Sequence, residues 1–365
     1  MQDKKTKVCL IGTSFSGGGA NKNHALISKM FHQHGFETHN VIVVNSITFE
    51  YEGELFNMGL HQKKGILNRF HRFILLRNYI KKHNFDFIID FRDRSKMIQE
   101  LLVNRFIYTV PYIPTIRSFY LNYYLPENKF LARLLFHNAF GIVTVSKGIE
   151  QKVKKEYHFA NVQTILNPLD IEQIRVLSEV SITIDVPFIV AAGRMDKEEH
   201  LKQFDQLIKT YATSKLPQKH IKLVLLGDGT DRKRLEDLSA SYKMEKMILF
   251  EGFKSNPYAY FKKAIFLVLS SKNEGFPTVL NEALACGTPV VSFDCESGPN
   301  EIIEHEVNGL LVDNQNFEAL KDAMERMVED TALYQKCKDN AQNRKDFHSF
   351  EEIMKDWKVF LKMNT

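Results

Sequence analysis

The residues best suited to chemistry lie in one segment, SSKNEGFPTVLNEALACG at 270–287. It contains two acids, Glu274 and Glu282. The apolar run AIFLVLSS that leads into it is typical of a buried strand, Pro277 suits the first position of a helix, and Gly287 suits its end. The pattern therefore predicts a loop that carries Glu274, followed by a helix that carries Glu282.

The start of this predicted helix is suited to binding an anion. Free N–H groups at about Thr278 and Val279 lie at the positive end of the helix dipole. We expect them to hold a diphosphate, with Glu274 facing the group attached to it and Glu282 facing the ligand further along. Either acid alone would be an ordinary surface carboxylate, but the whole segment favours a binding site.

Short apolar runs alternate with helix-like segments along the chain. Such alternation predicts parallel sheets with helices on both faces. The segment 167–187, NPLDIEQIRVLSEVSITIDVP, predicts a boundary between two sheets. Because open α/β sheets bind ligands at the carboxyl ends of their strands, we expect two facing sheets with the ligand in a central cleft.

The composition fits an ordinary globular protein. The chain has 365 residues, of which 44% are hydrophobic and 25% are charged, and this length favours two domains. No apolar run approaches the ~18 residues needed to cross a bilayer. The cysteines form no C-x-x-C pair and have no metal-ligand spacing, so we expect reduced thiols, no structural metal and a cytoplasmic chain. They are Cys9, Cys286, Cys295 and Cys337.

Positive charge is concentrated in the first half. Residues 1–180 hold 24 Lys and Arg against 15 Asp and Glu, and the remaining residues hold 25 against 29. The segment 61–82 has seven Lys or Arg and no acid, with apolar residues at helical spacing. Two interpretations stay open: a core-packing helix with a solvated basic face, or peripheral contact with an anionic membrane or acceptor. The aromatic-rich stretch 106–136 also leaves two interpretations open, packing in the core and at its rim or a membrane anchor. No nucleic-acid motif accompanies the charge.

The segment EGFPTVLNE resembles the E-x7-E motif of retaining GT-B glycosyltransferases of family four. The resemblance is weaker in the first half, at SGGGAN (16–21), VTVSKG (143–148) and NPLD (167–170). The second half adds further motifs of that family in order: AAGRMD (191–196), KQFDQLI (202–208), LVLLGDG (223–229), EGF (251–253), CESGPNEII (295–303) and NGLLV (308–312).

This resemblance implies the GT-B fold, an α/β architecture of two Rossmann-like parallel-sheet domains facing a central cleft. Residues 1–170 would form the N-terminal, acceptor-side domain. Residues 187–345 would form the nucleotide-sugar-binding domain, and 346–365 would be a helix that returns to the first domain.

The resemblance also assigns roles to charged residues. Glu274 would bind hydroxyl groups of the donor sugar, and Glu282 would bind the ribose. Arg194 and Lys202 would be the cations at the diphosphate, which makes Glu274, Arg194 and Lys202 the expected catalytic residues. The distance from Arg194 to Lys202 is longer than usual for the family, so Lys197 competes for the lysine role.

Further donor contacts follow from the same resemblance. A glycine loop would approach the phosphate and sugar, and Asn21 replaces the acid that usually follows it. Arg117 stands where many relatives carry a histidine, and His24 is more typical of a packing residue. The expected donor-binding residues are Gly17, Gly18, Gly19, Phe253, Gly275, Phe276, Pro277, Thr278, Val279 and Glu282.

The chemistry of the residues agrees with a metal-free reaction. Charge on a departing diphosphate must be stabilised by a metal or by fixed cations and dipoles. Arg194, Lys202 and the helix after Pro277 would supply the second solution. No D-x-D motif occurs, and Asp90 and Asp93 in DFRDR are more typical of local salt bridges.

The resemblance thus implies a retaining, metal-independent hexosyltransferase without cofactor. It would move a hexose or N-acetylhexosamine from a nucleotide-diphosphate sugar, most like the UDP-sugar users, to a glycan or lipid-linked acceptor. The setting would be bacterial polysaccharide or lipopolysaccharide synthesis, in the cytoplasm or peripherally at the inner membrane face. Alternatives are another GT-B enzyme, such as a sugar-nucleotide epimerase or a phosphorylase, or a non-catalytic sugar-nucleotide-binding protein.

Overall fold

The computed structural model describes residues 5–197, 201–343 and 348–363. Two compact units divide the chain. Unit 1 comprises Met1–Pro168 with Phe350–Thr365, and unit 2 comprises Leu169–Ser349. The predicted boundary between residues 345 and 346 lies outside the described residues.

Unit 1 is built on a seven-stranded parallel sheet of order β3-β2-β1-β4-β5-β6-β7. Its strands are β1 (Lys7–Gly12), β2 (Glu37–Ile42), β3 (Glu54–Asn57), β4 (Phe87–Asp90), β5 (Tyr112–Ile116), β6 (Ile142–Thr144) and β7 (Val162–Thr164). Its helices are α1 (Gly19–Gln33), α2 (Ile66–His83), α3 (Met97–Leu102), α4 (Lys129–Phe136), α5 (Lys147–Tyr157) and α14 (Phe350–Phe360).

The chain order places the helices of unit 1 on two faces of the sheet. The connection from β1 to β2 crosses the sheet in one direction, and those from β3 to β4, β5 and β6 cross it in the other. Because parallel crossovers are right-handed, α1 lies on one face and α2, α3 and α4 lie on the other. The α1 face also carries α14, whose Trp357 packs against Phe31 with ring centres 5.5 Å apart.

Unit 2 is built on a six-stranded parallel sheet of order β10-β9-β8-β11-β12-β13. Its strands are β8 (Phe188–Ala192), β9 (Lys222–Leu226), β10 (Ile248–Gly252), β11 (Leu267–Leu269), β12 (Val290–Asp294) and β13 (Gly309–Asp313). Its helices are α6 (Ile171–Ser178), α7 (Phe204–Thr213), α8 (Arg232–Ser241), α9 (Tyr258–Lys263), α10 (Thr278–Ala285), α11 (Pro299–Ile302), α12 (Phe317–Glu329) and α13 (Thr331–Asn343). The predicted α/β fold with two parallel sheets is confirmed.

The basic helix α2 does not bury all the apolar residues that its spacing suggested. Leu76 and Ile80 are buried, whereas Phe70 and Ile74 are exposed. Helical periodicity shows that residues share faces, but it does not show which face has a partner. Among the described residues, no helix is long and apolar enough to cross a membrane.

Candidate functional site

The candidate site begins at the carboxyl ends of β8 and β11. The strand order of the unit 2 sheet reverses between these neighbours, and open α/β sheets bind ligands at such a reversal. The chain leaves β8 toward Arg194 and leaves β11 toward Glu274. The topology thus brings two residues that are distant in sequence to the same edge of the sheet.

Lys202 and Glu274 form an ion pair at this edge. Lys202 Nζ lies 2.5 Å from Glu274 Oε1, and the side chains are 25% and 14% exposed. Ser270 Oγ donates to the Lys202 carbonyl at 2.7 Å, and the Lys272 N–H donates to the Leu201 carbonyl at 2.8 Å. These bonds fix the segment of the lysine against the loop of the glutamate.

Gly193 leaves room for the stem of this lysine. A Cβ atom at Gly193 would lie 3.0 Å from both Cγ and Cε of Lys202. The alternative lysine, Lys197, has an exposed side chain, and its backbone N–H donates to Thr230 Oγ1 at 3.2 Å. The structure therefore brings Lys202 to Glu274, while the contact of either lysine with a diphosphate stays a prediction.

Arg194 is the more exposed of the two predicted cations. Its side chain is 61% exposed, and Nη1 lies 2.9 Å from Asp196 Oδ2. Arg194 and Lys202 line the same cavity of about 60 Å³. An exposed ion pair of this kind contributes little to stability, and contact of Arg194 with a diphosphate stays a prediction.

Helix α10 begins at Thr278, and Pro277 takes the N-cap position rather than the predicted first helical position. The N–H groups expected to bind an anion are therefore those of its first turn. The helix ends as predicted. Gly287 has φ +78°, and the Thr288 N–H donates to the Ala283 carbonyl at 3.0 Å, which is the bond of a Schellman motif.

The loop before α10 is held by the loop after β12. Ser297 Oγ donates to the Gly275 carbonyl at 2.9 Å. Gly298 has φ +96°, and a Cβ atom there would lie 2.5 Å from Pro277 Cδ. This backbone position requires glycine both for its conformation and for the close contact. The CESGPNEII motif is the signal of this support in the sequence, although the motif does not show which loop Gly298 contacts.

Three polar side chains near this loop are buried. Glu282 lies on the buried side of α10 at 5% exposure. The amide atoms of Asn281 and the hydroxyl of Ser271 are buried without a hydrogen-bond partner among the described residues. Because unpaired buried polar atoms are costly, a polar ligand that reaches Asn281 or Ser271 would gain by satisfying them. The sequence pattern gave no sign of a role for Asn281 or Ser271.

The two predicted aromatic residues lie in different surroundings. Phe253 follows β10 and is exposed. Phe276 is buried, and its ring centre lies 5.6 Å from that of His348. The side chain of Phe276 is therefore buried within unit 2 and the ring of Phe253 is exposed, while contact of either residue with a donor stays a prediction.

The glycines of the LVLLGDG motif allow close backbone packing. A Cβ atom at Gly227 would lie 1.9 Å from the Gly193 carbonyl oxygen, and one at Gly229 would lie 2.3 Å from that of Met195. Both glycines have positive φ. They support the loop that carries Arg194.

In unit 1, the predicted glycine loop joins β1 to α1. Gly17 has φ +88°, Gly18 is the N-cap, and Gly19 begins the helix. Asn21 Nδ2 donates to the Ser16 carbonyl at 2.7 Å. The asparagine that replaces the usual acid thus fastens this loop, and contact of the three glycines with a donor stays a prediction.

His24 is a packing residue of unit 1. It is fully buried, and its ring centre lies 4.5 Å from that of Phe15 and 5.0 Å from that of Phe91. Gly12 makes room for the ring, since a Cβ atom there would lie 2.2 Å from Nδ1. Burial, reinforced by the charge of Arg117, lowers the pKa of His24 to about 3 and keeps it neutral.

Arg117 is held beside this ring stack. Its guanidinium carbon lies 5.5 Å from the centre of the Phe91 ring, and Nη2 donates to Asn167 Oδ1 at 2.6 Å. Burial lowers its pKa to about 10, which leaves it charged at neutral pH. Arg117 therefore places a fixed positive charge near the carboxyl ends of β4 and β5.

The two acids of the DFRDR segment lie in different surroundings. Asp90 is buried, with Oδ2 2.8 Å from Arg92 Nη2 and accepting from the Tyr108 hydroxyl at 2.8 Å. The neighbouring cations Arg92 and Arg94 lower the pKa of Asp90 against the effect of burial. Asp93 is exposed. The predicted local salt bridge is present at Asp90, but it does not involve Asp93.

The second half of the chain is similar to a known protein family. Residues 179–344 match the family model described as "Glycosyl transferases group 1". The Campylobacter jejuni N-acetylgalactosamine-N,N'-diacetylbacillosaminyl-diphospho-undecaprenol 4-alpha-N-acetylgalactosaminyltransferase is 33% identical over 231 residues, which are 63% of this chain and 62% of that protein. An Escherichia coli lipopolysaccharide 1,6-galactosyltransferase is 31% identical over 174 residues, 46% of this chain and 47% of that one. The chain spans about three fifths of the length of the first curated relatives it matches.

Solved structures share the fold over almost the whole chain. Anabaena Alr3699/HepE in complex with UDP and glucose has a TM-score of 0.78 at 19% identity, with 98% of this chain and 99% of that chain covered. S. aureus TarM has the same TM-score at 13% identity and the same coverage. These neighbours show that the two parallel-sheet units form a GT-B fold.

Proposed function

We propose that the chain, whose residues 179–344 match the model of the group 1 glycosyl transferases, transfers a hexose or N-acetylhexosamine from a UDP-sugar to a glycan or lipid-linked acceptor. The observation that carries this proposal is the Lys202–Glu274 pair, which lies where the strand order of the unit 2 sheet reverses. The names of the relatives support a biological setting in glycan synthesis, since one relative acts on a diphospho-undecaprenol glycan and another on lipopolysaccharide. We therefore place the reaction in bacterial surface glycan synthesis.

The donor diphosphate would bind between the cations and the start of α10. Lys202 and Arg194 supply positive charge, and the first-turn N–H groups of Thr278 and Val279 supply donors at the positive end of the helix dipole. HepE supports UDP as the nucleotide because its structure holds UDP and glucose. Phe253 offers an exposed ring to the ligand.

Glu274 would orient the donor sugar. Its carboxylate accepts hydrogen bonds only, so it suits sugar hydroxyl groups, and Lys202 balances its charge in a partly buried setting. When a diphosphate binds, Lys202 lies within reach of both anions. The same pair would thereby join the sugar subsite to the phosphate subsite.

The reaction would proceed with retention of configuration. The bond between the sugar C1 and the diphosphate oxygen breaks, the acceptor oxygen bonds to C1 on the same face, and the acceptor proton passes to a diphosphate oxygen. Negative charge grows on the leaving diphosphate as this happens. Fixed donors aimed at such charge lower the barrier without a metal ion, and each contributes about 10²–10³ in rate.

A donor screen followed by product analysis tests the proposal. UDP-sugars should raise the melting temperature more than GDP- or ADP-sugars, because a ligand that binds only the folded state stabilises it. The donor that binds is then incubated with lipid-linked glycan, and NMR defines the anomer of the product. An inverted anomer would refute retention, an epimerised sugar nucleotide formed without acceptor would indicate an epimerase, and binding without any turnover would indicate a non-catalytic protein.

A further inference from the structure

Helix α2 of unit 1 has a second apolar face that no described residue covers. Leu67, Phe70 and Ile74 are 82%, 55% and 57% exposed. Their spacing places them on one side of the helix, while Leu76 and Ile80 pack inward. Singly exposed apolar residues are ordinary, but a row of three on one helix side is a feature of interaction surfaces.

The same surface continues over the next two helices. Right-handed crossovers place α2, α3 and α4 on one face of the sheet. Arg77 Nε donates to the Phe106 carbonyl at 2.9 Å, which ties α2 to the turn after α3, and α3 contacts α4. The apolar residues of this surface that are more than half exposed, here called the docking face, are Leu67, Phe70, Ile74, Ile98, Phe106, Phe130 and Leu134.

Exposed cations outnumber exposed acids in the part of unit 1 that carries the docking face. Residues 61–136 contain 14 Lys and Arg against five Asp and Glu, and ten of these cations but two of these acids are exposed. Of the five acids, Asp90 and Glu100 are buried with Arg92, and Asp86 accepts from the Lys7 N–H. The uncompensated charge of the surface is therefore positive.

We propose that the docking face inserts its apolar side chains into an anionic lipid bilayer while the surrounding Lys and Arg bind lipid headgroups. Aromatic and aliphatic side chains that protrude among cations suit the boundary between headgroups and acyl chains. A second copy of the chain is the less favourable occupant, because a two-fold interface would bring two positive faces together. The choice of a bilayer as the partner rests on the proposed function only because a bilayer carries a lipid-linked acceptor. Lipid binding itself requires no sugar transfer.

The expected attachment has two separable parts. Headgroup contacts weaken with salt, since the Debye length falls from about 10 Å at 0.1 M to about 3 Å at 1 M. Apolar insertion does not weaken in the same way. The protein should therefore stay bound to anionic vesicles at a salt concentration that removes a purely electrostatic ligand.

Cosedimentation with vesicles tests these two parts. The probes are vesicles of phosphatidylcholine alone and with phosphatidylglycerol, at 0.05 M and 0.5 M NaCl. The apolar variant is Leu67→Ser/Phe70→Ser/Phe130→Ser, and the charge variant is Lys63→Gln/Lys64→Gln/Arg69→Gln. The matched control is Val176→Ser/Val359→Ser, which removes exposed apolar side chains of α6 and α14, two helices that are not part of the docking face.

Wild type and control should bind anionic vesicles at both salt concentrations. The apolar variant should bind anionic vesicles at low salt, but at high salt its partitioning should be at least ~10-fold below that of wild type. The charge variant should bind these vesicles more weakly than wild type at low salt. Arg72 is excluded from the charge variant because its Nη2 donates to the Val43 carbonyl at 2.6 Å. Circular dichroism on every variant separates lost binding from lost folding.

A fluorescence measurement identifies insertion directly. The chain has one tryptophan, the buried Trp357, so Phe70→Trp adds a single exposed reporter. Its emission should shift to the blue on anionic vesicles and be quenched by brominated acyl chains, while the wild-type signal stays constant. Absence of wild-type binding at low salt, equal binding of the apolar variant at high salt, or a dimer in light scattering that the apolar variant abolishes would overturn the proposal. None of these results depends on transfer activity.

Discussion

The ammonium of Lys202 lies 2.5 Å from the carboxylate of Glu274, although the residues are 72 positions apart. One comes from the segment before α7 and the other from the loop after β11. In this pair, a group suited to phosphate touches a group suited to sugar hydroxyls. A bound sugar diphosphate would therefore contact both members of the ion pair.

Replacing Lys202 by alanine should lower turnover by at least ~100-fold, because a cation at the leaving diphosphate is lost. Steady-state transfer with saturating donor measures the effect. Lys197→Ala is the matched control, since Lys202 is the lysine that pairs with Glu274, and it should stay within ~3-fold of wild type. An inactive Lys197→Ala together with a normal Lys202→Ala would assign the diphosphate to the other lysine.

Glu274→Gln should separate sugar binding from nucleotide binding. The amide keeps the shape but removes the charge that Lys202 neutralises, so the lysine is left to the diphosphate. Free UDP should bind within ~3-fold of wild type or more tightly, while transfer should fall at least ~100-fold. Calorimetry measures the affinity for UDP and for the intact donor, and a steady-state assay measures transfer. An equal loss of affinity for the two ligands would contradict the assigned role.

Activity should persist in excess EDTA, because cations and the dipole of α10 are proposed to stabilise the leaving group in place of a metal ion. Initial rates are compared after dialysis against chelator, with and without added Mg²⁺ or Mn²⁺. The melting temperature is recorded in parallel as a control for stability. Loss of activity in chelator with full recovery on adding either ion would contradict the metal-free mechanism.

His24 should make the stability of the chain depend on pH. Burial lowers its folded pKa from 6.5 to about 3, so the unfolded chain binds the proton more readily. The stability from neutral His24 is fully present above pH 6.5 and is lost as pH falls toward 3, at up to about 1.4 kcal/mol per pH unit. Denaturant unfolding at several pH values should show a shallower slope for His24→Phe than for wild type. Replacement of the exposed His137 by phenylalanine serves as control. An unchanged slope in His24→Phe would assign the acid sensitivity to other groups.

The sequence predicted the local parts of the fold and site well. Alternating apolar runs predicted two parallel sheets, and Gly287 marked the end of α10 because a glycine suits the positive φ found there. Pro277 was predicted one position too far into the helix, since proline is compatible with both the N-cap and the first turn. At α10, the helix bounds set by neighbouring residues in the chain were thus predicted to within one residue.

Long-range features were harder to predict. Spacing alone left Lys197 and Lys202 as alternatives, and only the packing of Lys202 over Gly193 brings one of them to Glu274. The sequence also did not reveal that one side of α2 is exposed, because Phe70 has the same helical spacing whether it contacts the core or solvent. Partners distant in sequence decide both outcomes, and periodicity contains no information about them.

Gly298→Ala should weaken donor binding through the loop before α10. The new Cβ atom would lie 2.5 Å from Pro277 Cδ, at a φ of +96° that an L-residue adopts only with strain, so the Pro277 backbone must shift. We expect KM for the donor to rise at least ~10-fold in a variant that still folds. Gly35→Ala is the matched control, because Gly35 has φ +87° but nothing within 4 Å of the added atom. Both variants should lose stability from strain at positive φ, and only Gly298→Ala should change KM. An equal KM for the two variants would show that the contact between Gly298 and Pro277 does not position the start of α10 for the donor.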